Sequence, residues 1–276
     1  METYLSTGGF QKKKPSEIIK IFKKNRILNI ELSGGKYEKD LINKILKHNN
    51  SLKLMLHNYF PHFKKSFVFN LASQNRIIIK KSLNMAKAGI RINSKLKNKF
   101  YAFHAGFLFD PKINMLGDKP VPPKLINRKK ALSSFIKNVR ILSKYAKKNN
   151  VNLLIENNVV SANQFLKYKY KPLMCDPEET IYIMKKTPKN VSILLDFGHL
   201  KVSSNSLSFS KKKYIYKINK YILAYHLSDN NFRSDDNLEF NKNSWFWKYI
   251  KKNAEYCSIE VYDKKITKLK NLLKLV

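Results

Sequence analysis

The chain has 276 residues, 43% of them hydrophobic, enough to bury a large core and close to the ~250 residues of one barrel domain. Lys and Arg number 55 against 19 Asp and Glu, a formal net charge of +36 that favours anionic partners. Two cysteines, Cys175 and Cys257, without CxxC spacing exclude a disulfide framework and a thiolate zinc site, and no apolar run approaches the ~18 residues of a membrane span.

The first strand reads Tyr4 to Gly9, ending in Gly8-Gly9, and Pro15-Ser16-Glu17 opens a helix that runs to Asn25. The second strand is ILNIELS, Ile27 to Ser33, followed by a helix from Glu38 to His48. The third is LKLMLH, Leu52 to His57, and a long helix from Asn75 to Ile92 follows, with Gly89 as its end signal. The fourth is FYAFH, Phe100 to His104, and the proline-rich segment from Asp110 to Leu125 reads as an extended loop. From Arg128 to Asn149, Leu132, Phe135, Ile136, Val139, Leu142 and Tyr145 recur at helical spacing.

The fifth strand is VNLLIE, Val151 to Glu156, and Asn157 to Met174 reads as a loop. Asp176-Pro177-Glu178-Glu179 then opens a helix with an N-cap, a first-position proline and acids in the first turn. The sixth strand is VSILLD, Val191 to Asp196; a lysine-rich helix near Ser210 to Asn219 precedes the seventh, ILAYH, Ile222 to His226. A loop rich in Asp and Asn, a helix from Ser244 to Lys252, the eighth strand YCSIE from Tyr256 to Glu260 and a final helix from Lys265 to Leu275 complete the chain. Strands alternating with helices in this rhythm predict an α/β fold, a (β/α)8 barrel formed by residues 1–276 as a single domain.

The positive charge is dispersed. Lys12 to Lys14, Lys64 and Lys65, Lys129 and Lys130, Lys147 and Lys148, Lys211 to Lys213, Lys251 and Lys252, and Lys264 and Lys265 fall where helices or loops face water. Lys, Asn and Ile are abundant together, as AT-rich coding produces, so the charge reads first as compositional bias and second as a basic surface for nucleic acid or a phosphorylated substrate. The opening METYLSTGGF lacks a charged-then-apolar leader pattern, and a cytoplasmic location with no membrane partner is expected.

Polar residues end nearly every strand: Glu31, His57, His104, Glu156, Asp196, His226 and Glu260. In a parallel barrel all such ends face one side, so residues distant in sequence converge there. Carboxylate and imidazole are ligands for Zn, Mn, Co or Mg, and Glu156, Asp196, His226 and Glu260 end four successive strands. A lone strand-end Glu such as Glu31, or a lone His57, is more often a hydrogen-bonded structural residue; the ordered set is what points to a metal. Phe10, Tyr59, Phe107 and Phe197 are candidates for the pocket wall, His62 lies on a loop able to approach it, and no GxGxxG fingerprint for a nicotinamide cofactor occurs.

The ordered runs LLIEN with Glu156, LLDFGH with Asp196 and His199, YHLSDN with His226 and Asp229, and SIEVY with Glu260 resemble the xylose isomerase-like TIM barrel superfamily. That group takes in sugar isomerases and epimerases, inosose dehydratases and endonuclease IV-type abasic-site nucleases, and the resemblance spans essentially the whole chain. It implies a divalent metal on Glu156, Asp196, His226 and Glu260. The implied activity is isomerisation or epimerisation of a sugar or sugar phosphate through an enediolate, with Glu156 and Glu260 moving the proton. His199, at D-x-x-H spacing from Asp196, and Arg233, beyond His226, take substrate-binding roles by resemblance, with His57 and His104 beside them. Family members often pair, so a homodimer is expected.

The resemblance also implies alternatives. In the nuclease branch His57, His104, His199 and Asp235 would serve additional metal ions, giving a zinc phosphodiesterase acting on abasic DNA. Asn237 stands where that branch has a histidine, Leu238-Glu239-Phe240 replaces its glycine pair, and Ala162 stands where epimerases have a second acid. These departures leave open a barrel that keeps fold and metal without catalysis.

Overall fold

Alternation along each strand decides which side chains enter the barrel. The computed structural model describes every residue except Asn49 and Asp118. Its strands are β1 (Glu2–Ser6), β2 (Asn29–Leu32), β3 (Lys53–Leu56), β4 (Phe100–His104), β5 (Asn152–Glu156), β6 (Val191–Asp196), β7 (Ile222–Leu227) and β8 (Tyr256–Ile259). They pair in parallel in the order β3-β2-β1-β8-β7-β6-β5-β4. The circle is nearly closed: between β3 and β4 it is completed by a parallel bridge from His57 to Ala102, where Asn58 N donates to Ala102 O at 2.8 Å.

Inside the barrel, Tyr4, Met55, Phe100, Ala102, Leu154, Leu194, Ala224 and Tyr256 form their own apolar cluster. Strand residues of opposite parity, such as Leu5, Ile30, Leu54, Tyr101, Phe103, Ile155 and Tyr225, join the larger core beneath the helices. Two residues on from an interior plug the chain again points inward, now at the carboxyl end. That step leads from Met55 to His57, Ala102 to His104, Leu154 to Glu156, Leu194 to Asp196 and Ala224 to His226. The polar mouth thus stands on an apolar floor.

The helices are α1 (Pro15–Lys24), α2 (Leu41–Leu46), α3 (Arg76–Lys95), α4 (Arg128–Lys148), α5 (Ala162–Tyr168), α6 (Pro177–Lys186), α7 (Phe197–Ser206), α8 (Lys211–Ile218) and α9 (Ile266–Leu273). α2 is shorter than the expected Glu38 to His48. The Glu38 carboxylate is drawn away to accept from Ser16 N at 3.0 Å and Ser16 Oγ at 2.6 Å, and Asp40 takes a left-handed conformation. The segment 157–174, expected as loop, contains α5, capped by Ser161 Oγ accepting from Gln164 N at 3.1 Å. α7 begins directly after β6, where sequence places no helix before Ser210.

The expected helix from Ser244 to Lys252 does not form; only a 3-10 turn, Trp247–Tyr249, is present. Aromatic packing sets the path there. Phe246 stacks on Phe197 at 5.0 Å between ring centroids, Phe197 stacks on Tyr225 at 5.1 Å, and Trp247 Nε1 donates to Asn241 O at 2.7 Å. These anchors fall at spacings that a helix would splay over several faces. Among the described residues, no helix is long and apolar enough to cross a membrane.

Gly89 does not end α3, which continues to Lys95. It lies mid-helix against the fully buried Tyr101 ring, whose hydroxyl donates to Asn58 O at 3.0 Å. A Cβ on Gly89 would meet Tyr101 Cε2 at 2.5 Å. Gly89→Ala is therefore expected to destabilise the protein by about 1–3 kcal/mol through overpacking, despite the ~1 kcal/mol it returns in helix propensity. Urea unfolding measures the sign; a stabilised variant would show that the ring yields freely.

Candidate metal centre

The ends of β5, β6, β7 and the residue after β8 carry Glu156, Asp196, His226 and Glu260, all buried. One ligand atom from each lies within 4.8 Å of the others. His226 Nδ1 is 3.3 Å from Glu156 Oε1, 3.7 Å from Asp196 Oδ2 and 2.8 Å from Glu260 Oε2. Ligands on ~2.1 Å bonds to a tetrahedral ion sit ~3.4 Å apart, so this spacing suits a shared cation.

Each donor is aimed by a neighbour. Glu31, at an inward position of β2, meets His226 Nε2 at 3.1 Å with neither side chain exposed. That contact leaves Nδ1 to face the carboxylates, the arrangement in which a buried carboxylate orients a ligating imidazole. Asp196 caps α7: Oδ1 accepts from His199 N at 2.6 Å, which explains the D-x-x-H spacing and leaves Oδ2 toward His226. Glu156 Oε2 holds His57 Nε2 at 2.7 Å and lies 3.5 Å from His104 Nδ1.

Sequence reasoning gives Asn157 no role, yet this residue ties the centre together. Its amide donates to Asp196 O at 3.1 Å, its side-chain oxygen accepts from Asp196 N at 2.8 Å, and its carbonyl meets His199 Nδ1 at 2.8 Å. Because the carbonyl can only accept, Nδ1 carries the proton and His199 Nε2 points to Asp235 Oδ2 at 3.1 Å. The signal was present as an amide directly after the strand-end Glu156, but nothing in sequence separates a clamp from an ordinary loop Asn.

Electrostatics reflect crowding. Burial pushes the His226 pKa down, but Glu31, Glu260 and Glu156 outweigh it and hold the group well above the ordinary range. Burial pushes Glu156 up, and His104, His226 and His57 overcome it and hold it well below the usual carboxylate range. Burial pushes His104 down to about 4, against the pull of Glu156. Glu260 is raised, chiefly by burial.

The donor set fits a divalent cation. Glu156 Oε1, Asp196 Oδ2 and His226 Nδ1 are buried atoms that approach one another and Glu260 at 2.8–3.7 Å without a well-directed hydrogen bond among the described residues, and buried polar atoms are rarely left so. A second group, His57, His104 and Glu156, also brings ligand atoms within 4.8 Å. Of the other candidates, His199 and Asp235 meet each other, whereas Arg233 is exposed on the loop after β7. Tyr59 and His62 line the adjoining cavity; Phe10 and Phe197 are buried in the core, and Phe107 packs half-buried against it. Tyr262, absent from the sequence expectations, also lines the cavity, its hydroxyl 3.4 Å from Glu260 Oε1.

A family model described as the xylose isomerase-like TIM barrel matches residues 19–265. The chain belongs to this family. Among solved structures, a D-tagatose 3-epimerase-like protein is similar at TM-score 0.73 and 18% identity, over 100% of this chain and 98% of that one. A D-psicose 3-epimerase from Clostridium cellulolyticum, solved with D-tagatose, gives 0.66 and 15% over 100% and 97%. A Thermus thermophilus protein soaked with ZnCl2 gives 0.65 and 16% over 100% and 98%. At these identities the likeness is one of fold. No curated protein matches the chain.

In this xylose isomerase-like barrel, Glu31 meets His226 on the nitrogen turned away from the four-residue set, and with His57 and His226 it forms a third group whose ligand atoms lie within 4.8 Å of one another. Glu31→Gln keeps the shape and removes the charge, and is expected to weaken Mn2+ or Zn2+ binding about 10–100-fold. Competition against a fluorescent chelator reads the affinity; an unchanged value would separate Glu31 from the centre.

Proposed function

We propose that this barrel is a divalent-metal-dependent sugar isomerase or epimerase that moves a proton on the carbon beside a carbonyl. The observation that carries the reading is the convergence of Glu156, Asp196, His226 and Glu260, their ligand atoms within 4.8 Å of one another, on a centre whose Glu260 also lines an open cavity. The ion would supply Lewis acidity, polarising the carbonyl and steadying the negative charge of the enediolate.

The protein groups divide the remaining work. Glu260 Oε2 faces His226 and Oε1 faces Tyr262, so its carboxylate is fixed at the cavity wall and takes the proton from carbon. Glu156 approaches from β5, separated from β8 by β6 and β7, and returns the proton from its own side. His104 lines the cavity and binds a substrate hydroxyl. His199, fixed by Asn157 and Asp235, steadies oxyanion charge. The substrate class at this level is a sugar or sugar phosphate.

The test is solvent deuterium exchange into D-tagatose and D-psicose. Glu260→Gln is expected to lower exchange by roughly 10²–10⁴, the usual worth of a positioned acid–base group. Unchanged exchange removes Glu260 from the base role. Chelation should abolish exchange, and Mn2+, Co2+, Mg2+ or Zn2+ should restore it. A protein that binds metal and exchanges nothing is the non-catalytic barrel.

One observation favours a second reading. His57, His104 and Glu156 make a further cation group sharing Glu156, as a multi-metal phosphodiesterase on abasic DNA would need. Against it, Asn237 places an amide, a poorer zinc ligand, where an imidazole ligand would serve. Cleavage of abasic duplex, with affinity falling steeply in salt at a slope near about −0.9 per phosphate contact, would establish the nuclease.

A further inference from the structure

We propose that the substrate of this site carries no phosphate, and that the cavity above the centre is shaped for an uncharged sugar. The inference rests on the isomerase or epimerase reading.

The cavity encloses about 520 Å³. Among the described residues that line it, none is Lys or Arg, in a chain with 55 of them. Its one lining carboxylate is Glu260, and its imidazoles are His57, His62 and His104. Burial lowers the His62 pKa, whereas at His57 the Glu156 and Glu31 carboxylates outweigh burial and raise it. A phosphate ester is held by Lys or Arg, by free backbone N–H groups, or by a helix N-terminus. An ion at the centre engages the oxygens at the reacting end of the sugar, so a phosphate at the far end would have to lie against this wall.

Three of the four N–H groups at the glycine pairs beside the cavity are already engaged. Two glycine pairs, Gly8-Gly9 and Gly34-Gly35, border the cavity and resemble an anion-binding loop in sequence. Gly8 N donates to Ser6 Oγ at 3.2 Å, Ser33 N and Gly34 N donate to Thr7 Oγ1 at 2.9 and 3.0 Å, and Gly35 N reaches Gln11 Oε1 at 3.5 Å. Close packing accounts for these glycines: a Cβ on Gly8 would lie 2.6 Å from the Tyr262 ring, and one on Gly34 2.6 Å from Thr7 O. The nearby N-terminus of α7 is capped by Asp196, itself an anion.

What the wall does present matches a polyol. Tyr59, Phe63, Phe67 and Tyr262 line the cavity with aromatic rings, and Gln11, Ser33, Asn58 and Ser66 add neutral polar side chains. A phosphate at the far end of the sugar would meet no Lys or Arg among the described lining residues.

The measurement is calorimetric titration of the Mn2+-loaded protein with D-tagatose, D-fructose and D-psicose, each against its own 6-phosphate. Salt at about 1 M, where the Debye length is ~3 Å, removes the contribution of surface lysines. The expected result is that at least one free sugar binds, about tenfold or more tighter than its phosphate. A 6-phosphate that binds as tightly as its parent, or tighter, overturns the inference and leaves the isomerase or epimerase standing. Binding of neither class overturns both.

Discussion

The barrel mouth is organised by the need to take Glu156, Asp196 and His226 wholly out of water. A carboxylate removed from water loses several kcal/mol of solvation even after the protein relaxes, and only nearby opposite charge or well-aimed hydrogen bonds offset that loss. The surrounding contacts follow from this requirement. His57 lies against one oxygen of Glu156, Asp196 turns one oxygen to the helix N-terminus it caps, and Glu31 takes the far nitrogen of His226. Each compensating contact satisfies one side of a donor and leaves the other side free. The other sides converge at a spacing that a divalent cation would fit.

That arrangement depends on the floor below it. The mouth residues follow interior plugs by one strand repeat, so their height is set by how well Leu154, Leu194 and Ala224 pack inside the sheet. A one-residue slip in any strand would turn its ligand toward the helices and an apolar residue toward the mouth. The register pairs Asp196 with His226 and His104 with Glu156, so adjacent strands deliver ligand types side by side. The fold and the site are therefore one specification.

This explains what was legible in the sequence. Strand ends could be read because apolar runs stopping at Glu156, Asp196, His226 and Glu260 carry both the parity and the chemistry. The D-x-x-H spacing could be read as a motif, although its cause, an N-cap and the third helical residue, needs the backbone. Asn157 was not legible as a site residue because its partner Asp196 stands on another strand, and Tyr262 was not because only the backbone path after β8 turns its ring back over Glu260. The aromatic run around Trp245 to Tyr249 misled for the same reason: periodicity reports local spacing, whereas Phe246 is claimed by Phe197 on another element. Gly89 reads as a helix end only until Tyr101 is placed beside it.

The net charge of +36 illustrates how distance decides which electrostatic facts matter. The paired and tripled lysines are largely exposed, and at physiological ionic strength charges beyond ~8 Å of water are largely screened. Within the mouth the separations are 2.8–3.7 Å from His226 Nδ1, at which unit charges interact by about 4–6 kcal/mol at an effective dielectric near 20. The exterior can raise the local concentration of any anion, and a search by composition alone would stop at nucleic acid. Selection at the reacting centre rests on the few groups in direct contact, which are carboxylates, imidazoles, aromatic faces and amides. The lysine and arginine charge that dominates the surface of this protein does not extend to the described residues lining the cavity, none of which is Lys or Arg.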